Sequence, residues 1–366
     1  MEKFIFRIKR GAKMPPGKRS GAGPMTRCLL GALAAGLLFC ACAPGHPVMK
    51  DQPERTIVWP GAPLEARIQW IREIRSYEDS GVERGFWERL RYLITGEVEA
   101  GIVRPYGVLH DDRGRLFVVD TGAALVHLME SETGRYRTID GGKEFALRTP
   151  IAITEDDQEN VYITDADARA IYRYDLKEGK LRPFVTVKLH RPTGLAFSRA
   201  KQLLYVTDTG MHQVIALDLT GKEQFRFGSR GVAPGEFNYP TDLWVDKIGR
   251  VIVTDALNAR IQIFSPEGKP LRAFGQAGDT SGSFAKPKGV AVDSEGHIYV
   301  CDALFDTVQI FDDTGRLLLD FGDQGSKPGQ LWMPTGIHID ADDYIYVADS
   351  YNQRVQVFRY LKRDDE

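Results

Sequence analysis

Six aspartates recur along the chain at nearly equal spacing, and carboxylates repeated in this way could form a ring of metal ligands. Each follows a short apolar, β-branched run, where a strand is expected to end in a turn. Aspartate side chains in turns readily accept hydrogen bonds from nearby backbone N–H groups. Because every copy of the unit carries one, we expect these residues to cap their turns and to hold no metal. The six are Asp120, Asp165, Asp208, Asp255, Asp302 and Asp349.

The histidines do not follow the pattern of a catalytic metal site, which needs ligands at equivalent positions of several units. His110 and His338 lie on corresponding strands at different distances from the strand start, and His190 and His212 fall in one unit. This scatter predicts no His₃ metal site, no catalytic residue and no cofactor, whereas a carboxylate metal site stays open. Cys301 occupies a position held by small core residues in the other units and is not expected to be a nucleophile.

Basic and aromatic side chains gather where the first strands start and in the aspartate turns, which lie at the same end of every unit. Such side chains are frequent anchors of protein interfaces and suit an anionic ligand, although a plain surface is an equal alternative. Asp242 replaces the usual glycine of the fourth unit, and its simplest interpretation is a solvated residue near the channel mouth. The candidate binding rim is Arg104, Tyr106, Arg191, His212, Tyr239, Asp242, Lys286, Lys288, Phe305, Trp332 and Tyr351.

A sequence unit of roughly 45 residues, present six times, must position these side chains. Each unit has a proline, a short apolar run, a turn, a second apolar run that ends at the aspartate, and two further strands. Four-stranded units repeated around a channel form a β-propeller. We therefore predict an all-β, six-bladed β-propeller over residues 64–366, with repeats from about 104 to 360. The prolines Pro105, Pro150, Pro192, Pro240, Pro287 and Pro334 are separated by 45, 42, 48, 47 and 47 residues.

The two ends of this region are predicted to close the ring. The last unit ends after its third strand near Tyr360, and residues 66–74 alternate apolar and polar side chains upstream of the first unit. We expect residues 66–74 to supply the missing fourth strand, which would remove two exposed sheet edges. Residues 86–94 have apolar side chains at helical spacing and predict one short amphipathic helix, which packs under the propeller or binds a partner.

At these residues the chain resembles the NHL-repeat family, whose unit reads P-x-G-[VI]-x-V-D-x-x-G-x-[IL]-Y-V-x-D. The D-x-x-N-x-R turn of that family is complete at Asp255–Arg260 and Asp349–Arg354. Its G-x-x-x-G-x-F-x-x-P connector appears at residues 231–240 and, with Leu331 in place of Phe, at 325–334. The first two units depart from the pattern, since Ala152 replaces Gly and neither has the Asn-x-Arg turn. The resemblance implies a six-bladed propeller, a fold that also includes lyases and lactonases with a divalent metal in the channel.

The first 41 residues are typical of a secretory signal. Eight Lys or Arg precede or flank the uncharged run Cys28–Ala41, whose 14 residues are too few to span a bilayer. Met25 is an alternative start of this signal. The end of the run is similar to the lipobox of bacterial lipoproteins, which predicts lipidation of Cys42; cleavage without lipidation is the alternative. Residues 42–63 are then a Pro-rich tether.

Charge and anchoring together lead to a functional hypothesis. Without residues 1–41 the chain keeps 40 Lys or Arg against 49 Asp or Glu, a net charge of −9, which disfavours nucleic acid as a partner. We expect a bacterial cell-envelope lipoprotein, bound to the membrane through its lipid alone and leaning towards the outer membrane. It would be a non-catalytic scaffold that binds another envelope protein or an anionic ligand. The alternative is a metal-dependent hydrolase or lyase with its site in the central channel.

Overall fold

A computed structural model describes residues 56–80, 101–131 and 133–362. They form an all-β, six-bladed propeller of four-stranded antiparallel blades, which confirms the fold predicted from the repeats. The signal, Cys42 and the helix predicted for residues 86–94 lie outside the described residues. Helical structure in the described ranges is limited to short 3₁₀ segments, and no helix there has the length and hydropathy of a bilayer span.

In the first five blades the strands run from the channel outwards in chain order. Blade one contains β3 (Pro105–His110), β4 (Arg115–Asp120), β5 (Leu125–Glu130) and β6 (Arg135–Ile139), and blade two contains β7 (Pro150–Glu155), β8 (Asn160–Asp165), β9 (Ala170–Asp175) and β10 (Lys180–Pro183). Blade three contains β11 (Pro192–Ser198), β12 (Leu203–Asp208), β13 (Gln213–Asp218) and β14 (Glu223–Phe227), and blade four contains β15 (Pro240–Val245), β16 (Val251–Asp255), β17 (Arg260–Phe264) and β18 (Pro270–Phe274). Blade five contains β19 (Pro287–Val292), β20 (Ile298–Asp302), β21 (Thr307–Phe311) and β22 (Leu317–Phe321). The sixth contains β23 (Pro334–Ile339), β24 (Tyr344–Asp349), β25 (Arg354–Tyr360), β2 (Ile68–Ile74) and β1 (Val58–Trp59).

The core is divided among the seams between neighbouring blades. Each seam contains one cluster of buried apolar side chains, contributed by the facing strands of both blades. In the seam between blades five and six, for example, Tyr299 and Phe321 pack against Phe358 with almost no exposure. Full burial of one such side chain contributes about 1.5–3 kcal/mol, so the six seams hold the blades in a fixed ring. The outermost strands β14, β18 and β22 are largely exposed.

Blade six is assembled from both ends of the propeller. β2 pairs antiparallel with β25, from Ile68 opposite Tyr360 to Ile74 opposite Val355, and so takes the place of a fourth strand. Trp70 Nε1 donates a hydrogen bond to Gln356 Oε1 at 2.9 Å, and Arg354 forms an ion pair with Glu73.

The propeller begins before residue 64, which the sequence assigns as its first residue. Within the segment interpreted as a tether, Val58 and Trp59 pair with β2 as a fifth strand of blade six. The Trp59 ring lies 5.8 Å from that of Phe358 and 5.9 Å from that of Phe321, measured between centroids. Residues 56–63 therefore belong to the propeller, because β1 pairs with β2 and the Trp59 ring extends the seam between blades five and six.

Candidate functional site: the mouths of the central channel

The first strands of the six blades lie side by side and enclose a central channel with a cavity of about 110 Å³. We call the end at which these strands start the proline face. It carries the six prolines, the residues just before them and the aspartate turns. The opposite end, where the first strands finish in tight turns such as residues 111–114, is the turn face. Titratable side chains lie at both mouths.

The six aspartates fix the backbone of the proline face. Asp120 accepts hydrogen bonds from the backbone N–H groups of Val103 at 2.6 Å and Arg104 at 3.0 Å. Asp208 binds the N–H groups of His190 and Arg191 in the same way, both at 2.9 Å. All six side chains are fully buried, and each accepts at least one such bond, which confirms the structural role predicted for them.

In blades four and six the residue just before the proline is held in a different way. Tyr239 and Met333 adopt left-handed backbone conformations, with φ of 56° and 54°. Their N–H groups turn to the preceding blade, where the Tyr239 N–H donates to His212 Nδ1 at 3.1 Å and the Met333 N–H to Asp306 Oδ1 at 2.6 Å. His212 is only 8% exposed. Its inclusion in an accessible binding rim was therefore wrong, because its ring supports the blade-to-blade junction.

The second residue after each proline lies where the backbones of neighbouring blades approach most closely. A Cβ added to Gly107 would lie 2.5 Å from the Ile151 carbonyl oxygen, and one added to Gly194 would lie 2.5 Å from Asp242 Cα. Such distances exclude a side chain directed at the neighbouring blade, which accounts for small residues at this position. Five blades have Gly or Ala there and one has an acid: Gly107, Ala152, Gly194, Asp242, Gly289 and Gly336.

Asp242 directs its carboxyl group into the channel mouth at the proline face. Its Oδ2 accepts a hydrogen bond from the Val290 N–H at 3.2 Å. Burial raises the pKa of Asp242 to about 7, although the N–H groups of Val290 and Leu243 act to lower it. The interpretation of Asp242 as a solvated residue was therefore wrong, because protein surrounds the carboxyl group and leaves it only partial exposure.

Tyr106 and Lys288 line the same cavity as Asp242. Burial and the charge of Asp242 raise the pKa of Tyr106 to about 12, and Arg191 opposes this shift. Burial and the neighbouring charge of Arg191 lower the pKa of Lys288. These four residues of the predicted rim thus form one electrostatically coupled group, which we call the mouth cluster.

Large apolar side chains surround the mouth cluster on the proline face, across blades four, five, six and one. The rings of Trp332 and Tyr351 lie 5.5 Å apart between centroids, and the Arg104 guanidinium lies 5.8 Å from the Tyr351 centroid. Each member is between 43% and 65% exposed, and a set of large apolar side chains exposed on one face is unusual for a monomeric protein. We call this set the apolar belt; it contains Val103, Tyr239, Leu257, Leu304, Trp332 and Tyr351.

The apolar belt contains three residues that the sequence reasoning missed. Leu257 and Leu304 occupy the position of Tyr351, two residues after the turn aspartate, and comparison of the six turns could have found them. Of the remaining predicted rim residues, Lys286 is exposed at the start of β19 and Phe305 is half-buried beside the belt.

At the turn face, by contrast, two histidines meet at the seam between blades six and one. His110 Nδ1 donates to Asp340 Oδ2 at 2.9 Å, and the His110 ring stacks on Tyr346 at 4.7 Å. His338 Nε2 donates to the His110 carbonyl oxygen at 2.9 Å. Burial lowers the pKa of His338 to about 4, so its ring is neutral at pH 7. In the sequence these two histidines lie at non-equivalent positions of their units, whereas ring closure brings them into contact.

The same mouth contains an arginine with three carboxylate partners. Arg115 forms ion pairs with Asp111, with Glu155 at 2.7 Å and with Glu159 at 3.3 Å. Burial and the charge of Asp111 raise the pKa of Glu155 to about 7, and Arg115 opposes this shift. The charges at this mouth therefore satisfy one another within the protein.

Neither mouth has the donor set of a metal centre. In the ranges that the structure describes, no three His, Cys, Asp or Glu side chains lie where they could hold a metal ion. Asp242 is the one acid in the mouth cluster, whose other members are a lysine, an arginine and a tyrosine, which does not fit a divalent cation that needs several oxygen or nitrogen ligands. Cys301 is fully buried, and burial raises the pKa of its thiol well above the usual range.

Comparison with known proteins agrees with this architecture. The profile of the NHL repeat matches residues 284–311 and 331–358, which span the first three strands of blades five and six. These two segments of the chain are NHL repeats. The other four blades share their aligned prolines and aspartates.

Solved structures similar to this six-bladed propeller include both enzymes and a binding protein. Virginiamycin B lyase from Staphylococcus aureus is 14% identical, with a TM-score of 0.54 over 71% of this chain and 96% of that one. An auxiliary nutrient binding protein from Bacteroides thetaiotaomicron is 14% identical, with a TM-score of 0.57 over 72% and 71% of the two chains. A gluconolactonase from Xanthomonas campestris is 17% identical, with a TM-score of 0.54 over 71% and 86%. At these identities the likeness shows the fold alone.

Proposed function

We propose that this NHL-repeat propeller is a non-catalytic binding protein of the bacterial cell envelope, anchored by a lipid on Cys42, that binds a protein partner on its proline face. The observation that carries the proposal is the apolar belt. Its six side chains are exposed on one face, and Trp332 and Tyr351 among them are in contact, whereas a monomeric soluble surface usually has only scattered apolar residues. Trp and Tyr beside Arg are the residues that most often dominate binding energy at protein interfaces.

The partner is expected to cover the apolar belt and the mouth cluster together. The belt follows four of the six blades around the channel mouth, so one partner surface could contact Trp332, Tyr351 and the channel opening at once. Arg104 at one end of the belt would contribute a charged anchor on an aromatic ring.

Paired variants test the proline face directly. The full chain, isolated from its own membranes after cross-linking, should retain a partner that mass spectrometry can identify. The double variant Trp332→Ala, Tyr351→Ala should retain at least about tenfold less of that partner, because two central aromatic anchors are removed. The matched control is Ile248→Ala with Leu271→Ala, two exposed apolar residues away from the proline face. Equal retention by both double variants would remove the proline face from the proposal.

The lipid anchor is tested separately. Cys42→Ala should abolish incorporation of a labelled fatty acid and move the protein from the membrane fraction to the soluble fraction of the envelope. Cys40→Ala, two residues away, is the control and should behave as the native chain. Membrane retention of an unacylated Cys42→Ala protein would contradict lipid anchoring.

A channel hydrolase or lyase is the second candidate, and one observation favours it. The carboxyl group of Asp242 has a pKa of about 7 in the channel, which is the range suited to a general base. Metal analysis of the purified chain distinguishes the versions of this candidate. A stoichiometric divalent ion that is lost in Asp242→Asn would support the metal-dependent enzyme and contradict a purely binding role.

A further inference from the structure

Two cationic side chains stand together at the proline-face mouth without a counter-ion. Lys288 is half-buried in the cavity wall, and Arg191, an exposed residue just before β11, lies close enough for its charge to lower the pKa of Lys288. Among the residues that the structure describes, neither side chain makes an ion pair or a side-chain hydrogen bond. Like charges placed together in a partly buried site destabilise a protein unless an anion lies between them. Such a pair therefore indicates a binding site better than an exposed lysine does.

The one acid of the mouth cluster does not neutralise these cations. Asp242 uses its carboxyl oxygens on the N–H groups of Val290 and Leu243, and it forms no ion pair within the described ranges. Its pKa of about 7 means that a substantial fraction is uncharged at neutral pH. The hydroxyl of Tyr106 faces the same cavity, has no hydrogen-bond partner among the described residues and stays protonated, since its pKa is about 12.

We propose that the mouth cluster binds the anionic group, a carboxylate or a phosphate oxyanion, of the ligand that docks on the proline face. Lys288 and Arg191 supply the charge, and the Tyr106 hydroxyl donates a hydrogen bond to the oxyanion. The inference rests on the proposed function for the source of the anion, since the docked partner would carry it. The cavity of about 110 Å³ has room for such a group.

Asp242 makes this site sensitive to pH. Tyr106 from β3 and Cys301 from β20 lie close enough to Asp242 for its charge to raise their pKa values, and Arg191 before β11 acts on Tyr106. Lys288 from β19 lines the same cavity, as does His338 nearer the turn face. When Asp242 loses its proton as pH rises through 7, its negative charge in this cavity repels the bound anion. Anion binding is therefore expected to weaken as pH rises from 6 to 8.

Calorimetric titration of the purified full chain tests the site with acetate and inorganic phosphate as separate probes. At constant ionic strength, at least one probe should bind at pH 6. Between pH 6 and pH 8 the native chain should lose about threefold or more in affinity relative to Asp242→Asn, a comparison that cancels the change in charge of phosphate itself. Lys288→Gln should lose at least about tenfold in affinity, whereas Lys269→Gln, an exposed residue in the turn between β17 and β18, should bind as the native chain does.

Each outcome decides between alternatives. Binding of phosphate alone assigns a phosphorylated ligand, and binding of acetate alone assigns a carboxylate. Failure of both probes to bind, or equal losses in Lys288→Gln and Lys269→Gln, would overturn the anion site. If the anion site fails while the belt variants still lose the partner, the proposed function survives. If anions bind but no partner is retained, the site stands and the proposed function fails.

Discussion

Both mouths of the channel contain charged side chains, but these are paired at one mouth and unpaired at the other. At the turn face, Arg115 contacts three carboxylates and His110 contacts Asp340. At the proline face, Lys288 and Asp242 line one cavity with the exposed Arg191 nearby, and these three side chains form no ion pair with one another. Charges that satisfy one another hold a structure together, whereas buried charges without partners are costly and point to a ligand. The comparison therefore indicates that the charges at the turn face stabilise the fold, whereas those at the proline face are available to bind a ligand.

The largest effect is expected for the arginine of the turn face. Arg115→Ala should lower the free energy of unfolding by about 3 kcal/mol, because three carboxylates would then repel one another in a partly buried site. Arg191→Ala, at the other mouth, should change it by no more than about 0.5 kcal/mol. Urea unfolding measures both variants, and equal losses would show that the two mouths do not differ in the way described.

His338 should make the turn face sensitive to acid. Its pKa is about 4 in the folded protein, against 6.5 when exposed, so the unfolded chain binds more protons between these values. The free energy of unfolding should therefore fall as pH is lowered from 6.5 to 4, by on the order of 1–2 kcal/mol from this group. His338→Gln should reduce this loss by that amount. An unchanged pH profile in the variant would contradict a neutral, buried His338.

Asp242 should produce the opposite slope from the proline face. The folded protein holds this proton up to about pH 7, whereas the unfolded chain releases it near 3.8, so stability falls as pH rises between these values. Asp242→Asn should therefore gain on the order of 1 kcal/mol relative to the native chain between pH 4 and 8. Thermal or urea unfolding across this pH range tests the sign, and a gain at low pH instead would overturn it.

The smallest effect concerns the unpaired lysine. Lys288→Met should raise the free energy of unfolding by about 0.5–1 kcal/mol, because it removes a half-buried charge next to Arg191 and keeps the apolar stem. Lys286→Met is the matched control and should leave stability within about 0.5 kcal/mol of the native value. A net loss of stability in Lys288→Met would mean that the ammonium already has a favourable role without ligand.

The fold was predictable because every blade repeats the same sequence pattern. The prolines and turn aspartates occur at each repeat, and the hydrogen bonds of Asp120 and Asp208 show that one physical role recurs. The site was only partly predictable, since it depends on where the blades differ. Asp242 was noticed as an exception to glycine, but its depth in the channel follows from the close approach of neighbouring backbones, which a repeat pattern does not contain.

Contacts across the closed ring were the hardest to foresee. His110 and His338 are 228 residues apart, and only the seam between blades six and one brings them together. His212 was misassigned for a related reason. From its own turn alone, the His212 ring is expected to be an exposed side chain, yet it accepts a hydrogen bond from Tyr239 of the next blade. Sequence reasoning within one unit cannot detect such partners.

The closing strand has a consequence for how the protein is made. Trp70 and Gln356, which hydrogen bond in blade six, are 286 residues apart. At roughly 5–20 residues per second, ribosomal synthesis separates them by roughly 15 s to one minute. Throughout that interval β2 has been made but its partner β25 has not, so its edge is open to association with other chains. The nascent chain is therefore expected to depend on a holding chaperone until the final strand emerges.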